Sequence, residues 1–196
     1  MFLLTGCASL APPGITETAS AEQAHAPRIF HDAIKLDGRL SLQYQRNDNE
    51  EAVHGGFTWT QAAGQAQVTL LSPLGQTIAA IEVTPESALL RQANQPPHSA
   101  ADVDMLVADT LGWPLPISGL RQWLQGFAVD ANGRRFVATP SSSAVTTRDG
   151  WRIRYVSWES DTPSAPLRPK RIDLERHTAQ AGDISIRIVI GTWQID

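Results

Sequence analysis

The chain is poor in cysteine: among 196 residues there is one, Cys7, which excludes an internal disulfide and any cysteine-cluster metal site. It also lacks an excess of base. With 18% charged residues and a net charge of -4, it carries no basic footprint for nucleic acid. No run approaches the roughly 20 apolar residues that a spanning helix needs. The five histidines, His25, His31, His54, His98 and His177, are scattered without i+2 or i+4 partners, so metal-ligand spacing is absent. There is no Gly-x-Ser-x-Gly elbow and no phosphate loop. Asp102 and Asp104 are close in sequence but point to different faces of a helix. Arg121 reads more simply as a solvated or ion-paired side chain than as an anion ligand. No catalytic residue, metal or cofactor is expected.

What is present begins with the setting of Cys7. The segment Leu4-Thr5-Gly6-Cys7 resembles a bacterial lipobox, in which the chain is cut before the cysteine and the new N-terminus is acylated. A full secretory signal needs a basic region and roughly 7–15 apolar residues, so residues 1–6 read as the remnant of a longer signal peptide. Residue 8 is Ala, not the Asp that retains many lipoproteins at the inner membrane. Residues 7–26 are rich in Ala, Ser, Thr and Pro and read as an acylated cysteine followed by a flexible tether. Residues 27–196 are long enough for one sizeable core and are expected to form a single domain.

Period-two patterning dominates that domain. Leu40, Leu42 and Tyr44 alternate with polar residues, as do Val53, Gly55, Phe57 and Trp59, then Trp151, Ile153 and Tyr155, then Ile184, Ile186, Ile188 and Ile190. One apolar face per strand predicts an antiparallel sheet wetted on one side. Asp149-Gly150 signals a hairpin, and Pro163, Pro166 and Pro169 mark a loop. Helices are expected within residues 20–36, with Ile29, Phe30, Ala33 and Ile34 on one side; after Ser99 as N-cap with Asp102 at N3, ending at Gly112; and after Ser118, closing near Gly126. The sum is a mainly β domain with two or three helices, most simply a curved sheet or open barrel with helices over its mouth. Composition does not separate a filled core from a hollow barrel that keeps a ligand cavity.

One short stretch stands apart. In Leu70 to Thr77, LLSPLGQT, a strand stops and Leu74 stands in a Pro-Leu-Gly turn, where small or polar residues are usual.

LLSPLGQT, GRLSLQY, FTWTQ and GWPLPISGLRQWLQG occur in the order and spacing of the LolB family, and the resemblance covers roughly residues 38–193. It implies a half-closed antiparallel barrel of about 11 strands, covered by about three helices and enclosing an apolar cavity for acyl chains. It implies a receptor in the outer membrane, anchored through Cys7 at the periplasmic face. Such a receptor takes lipoproteins from a LolA-type carrier and inserts them into the inner leaflet, acting as a monomer without cofactors. It further implies a membrane-delivery loop at Pro73, Leu74 and Gly75. Leu42, Trp59, Leu70, Ile153, Tyr155, Ile186 and Ile188 are the expected acyl-chain lining, with Met105, Leu106 and Trp123 as its lid. Ala128 departs from the family, where proline is frequent. Three other readings stand beside this one. A structural lipoprotein would have a filled core and only protein partners; a lipid-processing enzyme would need a nucleophile and base; a soluble carrier would not keep Cys7 in a lipobox.

Overall fold

The computed structural model describes residues 26–47, 49–179 and 181–195; Cys7 and the tether fall outside them. The first element is not the expected helix. Residues 26–33 are irregular, and β1 (Ile34–Arg46) begins where the proposed apolar helix face should have continued. β2 (Asn49–Ala62), β3 (Gln65–Leu71), β4 (Thr77–Val83), β5 (Ala88–Arg91) and β6 (His98–Ala100) follow as a meander. Two helices come next, α1 (Val103–Leu111) and α2 (Ile117–Trp123). β7 (Phe127–Val129) and β8 (Arg135–Val137) form a separate ribbon. The chain then returns through β9 (Ala144–Thr146), β10 (Arg152–Glu159), β11 (Arg168–Thr178) and β12 (Gly182–Ile195).

Ten strands make one antiparallel sheet in the order β6-β5-β4-β3-β2-β1-β12-β11-β10-β9. The sheet is not closed, and two helices rather than three lie among the described residues. The reason is topological. The two edges, β6 and β9, are three-residue strands separated in sequence by α1, α2 and the ribbon, which take the place that a closing strand pair would fill. α1 packs on β5 and β6, and Ala131 in the ribbon donates its N–H to the Thr146 carbonyl of β9 at 2.9 Å. Both edges are thus covered, as exposed edges would otherwise invite pairing.

Alternation sorts the side chains as the pattern requires. Leu36, Leu40, Leu42, Phe57, Trp59, Val68, Leu70, Ile81, Ile153, Tyr155, Ile172, Leu174, Ile186 and Ile188 are buried on one face, and α2 contributes Ile117, Leu120 and Trp123 to the same core. Pro169 lies within β11 opposite Trp158, not in the preceding loop, at a point where the register with β10 shifts. Irregular pairing there tolerates a residue without an N–H.

The helix caps differ from the sequence reading. Ser99 sits in β6, and Asp102 is the N-cap of α1, its carboxylate accepting from the Met105 N–H at 2.9 Å. Gly112 closes α1 in the left-handed conformation, as expected. The N-cap of α2 is Pro116, and Ser118 instead donates its hydroxyl and backbone N–H to Asp104, tying α2 to α1.

Candidate functional site

The β3–β4 hairpin is the simplest part to derive. Gly75 donates its N–H to the Ser72 carbonyl at 2.9 Å, and Ser72 donates to Gln76 at 2.8 Å. Gly75 has φ of +82°, while Leu74 is not among the residues with positive φ. That combination is a type I turn followed by a left-handed residue, the usual three-residue hairpin loop. Proline favours its first central position, and glycine alone adopts the third without strain. The Ser72 hydroxyl accepts from the Gln76 N–H at 3.1 Å and stiffens the base. Leu74 is left at the tip, 88% exposed. Since type I imposes no polar side chain on that position, a leucine costs the fold nothing and is held away from every partner.

The base of the hairpin is close-packed. A Cβ on Gly55 of β2 would meet the Leu71 carbonyl oxygen at 2.1 Å, so only glycine lets β2 pass beneath the end of β3.

The expected acyl-chain residues fall into three groups. Leu42, Trp59, Leu70, Leu106, Trp123, Ile153, Tyr155, Ile186 and Ile188 all belong to the buried core cluster. Within it, Trp59, Leu70 and Ile188 line a small apolar void together with Phe57, Leu120 and Leu124. That void measures only about 10 Å³, at the bottom of the roughly 10–15 Å³ needed to admit a single water and far too small for an acyl chain. The core is therefore filled by α2. Met105 differs from the rest: it is 63% exposed and faces a cleft rather than the core.

This cleft, about 640 Å³, lies between α1, the segment joining α1 to α2, and the ends of β1, β11 and β12. Met105, Trp113, Leu115, Trp151 and Ile184 supply its apolar walls, with Arg46, Asp109 and Arg176 among them. Arg46 donates to the Gly112 carbonyl at 2.6 Å, bridging β1 to the end of α1, and its guanidinium lies 5.9 Å from the Tyr44 ring. Burial raises the Asp104 carboxyl above the usual range, and the two hydrogen bonds from Ser118 only partly offset this. At the far side Arg121 of α2 donates to the Gly64 carbonyl in the β2–β3 turn at 2.8 Å. This contact makes it a strut between helix and sheet. Among the described residues no group of three His, Cys, Asp or Glu is arranged to hold a metal.

Sequence reasoning missed Phe57, Leu120 and Leu124 as lining residues. The i, i+3, i+7 spacing of Ile117, Leu120 and Leu124 was the available signal. It also missed a polar clamp inside the core. Gln61 and Gln125 are both 1% exposed; Gln125 accepts from the His31 N–H at 2.9 Å and donates to its carbonyl at 3.0 Å. The Trp59 indole donates to Gln61 at 3.3 Å. This pins the irregular segment before β1 to the end of α2.

Comparison with known families places this geometry. The profile described as "Outer membrane lipoprotein LolB" matches residues 32–193. The outer-membrane lipoprotein LolB of Cupriavidus taiwanensis is 38% identical over 96% of this chain and 90% of its own. That of Thiobacillus denitrificans is 37% identical over 98% and 92%. Among solved structures, a LolA superfamily protein from Nitrosomonas europaea aligns with a TM-score of 0.49 at 9% identity, over 86% of this chain and 88% of its own.

Proposed function

The chain belongs to the LolB family of outer-membrane lipoproteins, and from that premise we propose that it receives lipoproteins from a LolA-type periplasmic carrier and inserts them into the inner leaflet of the outer membrane. The observation that carries this reading is the family match across residues 32–193, which takes in the whole β3–β4 hairpin and both helices. The chemistry is binding and exchange, with no bond made or broken.

The driving force is apolar burial. At about 0.8 kcal/mol per CH₂, one 16-carbon chain is worth on the order of 12 kcal/mol. A triacylated cargo therefore needs shielding across the periplasm. Hand-over requires no nucleotide when the carrier holds the chains less tightly than the receiver, and the receiver less tightly than the bilayer. Specificity for the attached protein should be low, because the site meets acyl chains.

Cargo enters at the cleft beside Met105 and Trp113, and the chains reach the Trp59, Leu70 and Ile188 surface as α2 lifts from it. Opening breaks the Arg121–Gly64 contact and the Ser118–Asp104 tie to α1, and exposes Leu120 and Leu124. The acyl chains replace those side chains against the sheet, which offsets part of the cost of lifting the helix.

The anchor in this reading is the acylated Cys7. The 20 residues from Cys7 to Ala26 span at most about 65 Å, a reach that lets the hairpin tip turn towards the same membrane. Leu74 then enters the bilayer. Burying one leucine is worth roughly 1.5–3 kcal/mol, too little to anchor the chain but enough to orient a tethered one.

The test is a transfer assay with loaded carrier, this protein and liposomes. Leu74→Glu should accept cargo at the wild-type rate and deliver it at least about tenfold more slowly. Normal delivery by Leu74→Glu would overturn the role of the hairpin, and failure of the wild type to accept cargo would overturn the receiver reading.

A further inference from the structure

The outer face of the sheet, on the side away from α1 and α2, carries charge of one sign at its centre. Register sets two rows there: Arg39, Val189 and Arg171 on β1, β12 and β11, then Ser41, Arg187, Asp173 and Arg154 on β1, β12, β11 and β10. Asp173 gathers its neighbours. Arg171 grips the carboxylate through Nε and Nη2 at 2.9 and 2.8 Å, while Arg154 Nη2 lies 3.2 Å and Arg187 Nε 3.5 Å from it. Four guanidiniums therefore stand against one carboxylate, in a chain whose net charge is -4. The charges bordering the rows offset one another: Arg152 pairs with Glu175 and Lys170 with Glu159, and Lys35 and Asp37 lie two residues apart on β1. The Arg154 and Arg187 side chains are 62% and 58% exposed. Asp173 engages at most two nitrogens of any guanidinium, which leaves donors on each for an outside acceptor.

The kind of partner follows from what the face offers. Protein interfaces keep charge out of their centres and build them on aromatic anchors. Here the centre is arginine, with Ser41 and Val189 between. The guanidiniums are spread over four neighbouring strands, about 4.8 Å apart, so they suit a surface of many anionic groups better than one small ligand. A lipid phosphodiester presents two free oxygens, which one guanidinium fork matches, and a bilayer repeats that group across a plane. The relatives of this chain are outer-membrane lipoproteins, so a bilayer is the surface at hand. We propose that this face binds the surface of an anionic phospholipid bilayer.

The binding itself is independent of the receiver reading, but its consequence rests on that reading. A tethered domain meets its bilayer at high effective concentration, so a weak electrostatic contact is enough to orient it. α2 and the 640 Å³ cleft lie on the other face of the sheet, among Trp123, Trp151 and Ile184. With the arginines on the bilayer, the cleft faces away from it and stands open to a loaded carrier. Delivery through Leu74 then requires the chain to turn about its tether, and the strength of the arginine contact sets how readily it turns.

The experiment uses the full chain carrying Cys7→Ala as parent, so that acylation does not mask binding. Flotation is measured with phosphatidylglycerol vesicles and with phosphatidylcholine vesicles, and the parent should bind the first far more strongly. An arginine beside an anionic surface contributes about fivefold to binding. Arg39→Gln should therefore lower flotation about fivefold, and Arg154→Gln with Arg187→Gln about twentyfold. Arg39 lies outside the Asp173 cluster, so its variant keeps the test if the double change fails to fold. Arg135→Gln, on β8 and outside the large sheet, removes the same charge elsewhere and should float as the parent does. Raising salt from about 0.1 M to about 1 M shortens the screening length from roughly 10 to 3 Å and should erase the differences. Equal flotation on the two lipids, or a loss with Arg135→Gln as large as with Arg39→Gln, would overturn the proposal. Unchanged flotation of the double variant, together with failure to take cargo from a loaded carrier, would assign the face to a protein partner instead. Flotation needs neither carrier nor cargo, so its failure leaves acceptance by the wild type to be judged separately.

Discussion

Two residues of the β3–β4 region separate stability from delivery. Leu74 is 88% exposed, so Leu74→Glu should change stability, read from the urea midpoint, by no more than about 0.5 kcal/mol, while the proposed delivery role predicts a large transfer defect. Gly55 is the converse: it lies in the packed base of the hairpin, where a side chain would meet the Leu71 carbonyl oxygen at 2.1 Å. Gly55→Ala should cost about 1–3 kcal/mol as the strands shift to make room, and an unchanged urea midpoint would mean that the end of β3 yields freely. At this scale the sequence was legible for Leu74, because Pro-Leu-Gly names its own turn. Gly55 was not. It read as one more inward position of an alternating strand, and the close approach of another backbone leaves no local mark.

At the level of elements, what could be read depended on whether the signal was local. The long strands were clear because each carries its own alternation over many residues. The expected helix within residues 20–36 failed on its described part, 26–36, because Ile29, Phe30, Ala33 and Ile34 fit either period over so short a run. Long-range contacts decided: Gln125 claims the His31 backbone, and Arg28 reaches the Phe127 and Trp158 rings at 5.6 and 5.1 Å. The three arginines on the outer face of β10, β11 and β12 show the same limit. Nothing in RIDLER or RIRYV announces that Arg154, Arg171 and Arg187 gather around Asp173, at 3.2, 2.8 and 3.5 Å. Burial alone would raise the Asp173 carboxyl, but the hydrogen bond and charge of Arg171, then Arg154 and Arg187, outweigh it and hold it below the usual value. A carboxyl depressed in the folded state stabilises above its unfolded pKa, about 3.9, and that contribution is lost as pH falls through the lower native value. Asp173→Asn should therefore destabilise by about 1–2 kcal/mol at pH 7, allowing for solvent screening of the exposed arginines. The difference from wild type should shrink as pH falls below 3.9. Denaturant titrations at pH 7 and pH 3 check both halves, and an equal loss at the two values would remove the charge cluster as its cause.

Over the whole molecule, the open sheet and the filled core are two sides of one fact. The half-closed barrel that the family resemblance implied would have kept an apolar cavity; instead the chain between β6 and β9 folds inward, and Ile117, Leu120 and Leu124 occupy the space facing Trp59 and Leu70. No residue pattern could have told a filled interior from a hollow one, since both need the same apolar face. A receiver whose site is filled by its own helix binds with an affinity reduced by the cost of opening, as any ligand does when the competent state is a minor one. This gives an opposed pair of effects. Leu120 is 5% exposed and packs at the void. Leu120→Ala should lower stability by about 2–4 kcal/mol, the usual cost of a buried leucine truncation. The same change weakens the hold of α2 on the sheet without removing any side chain of the sheet itself. A fluorescent acyl probe should accordingly bind Leu120→Ala more tightly and associate faster than it binds the wild type. Trp59→Ala should lower stability by a comparable amount but weaken the probe, because it strips the surface that the chain would occupy. Denaturant titration and probe titration on the two variants form the comparison. If both variants lose probe affinity together with stability, α2 is a fixed part of the core, and the acyl chains are held in the 640 Å³ cleft beside Met105 and Trp113 alone.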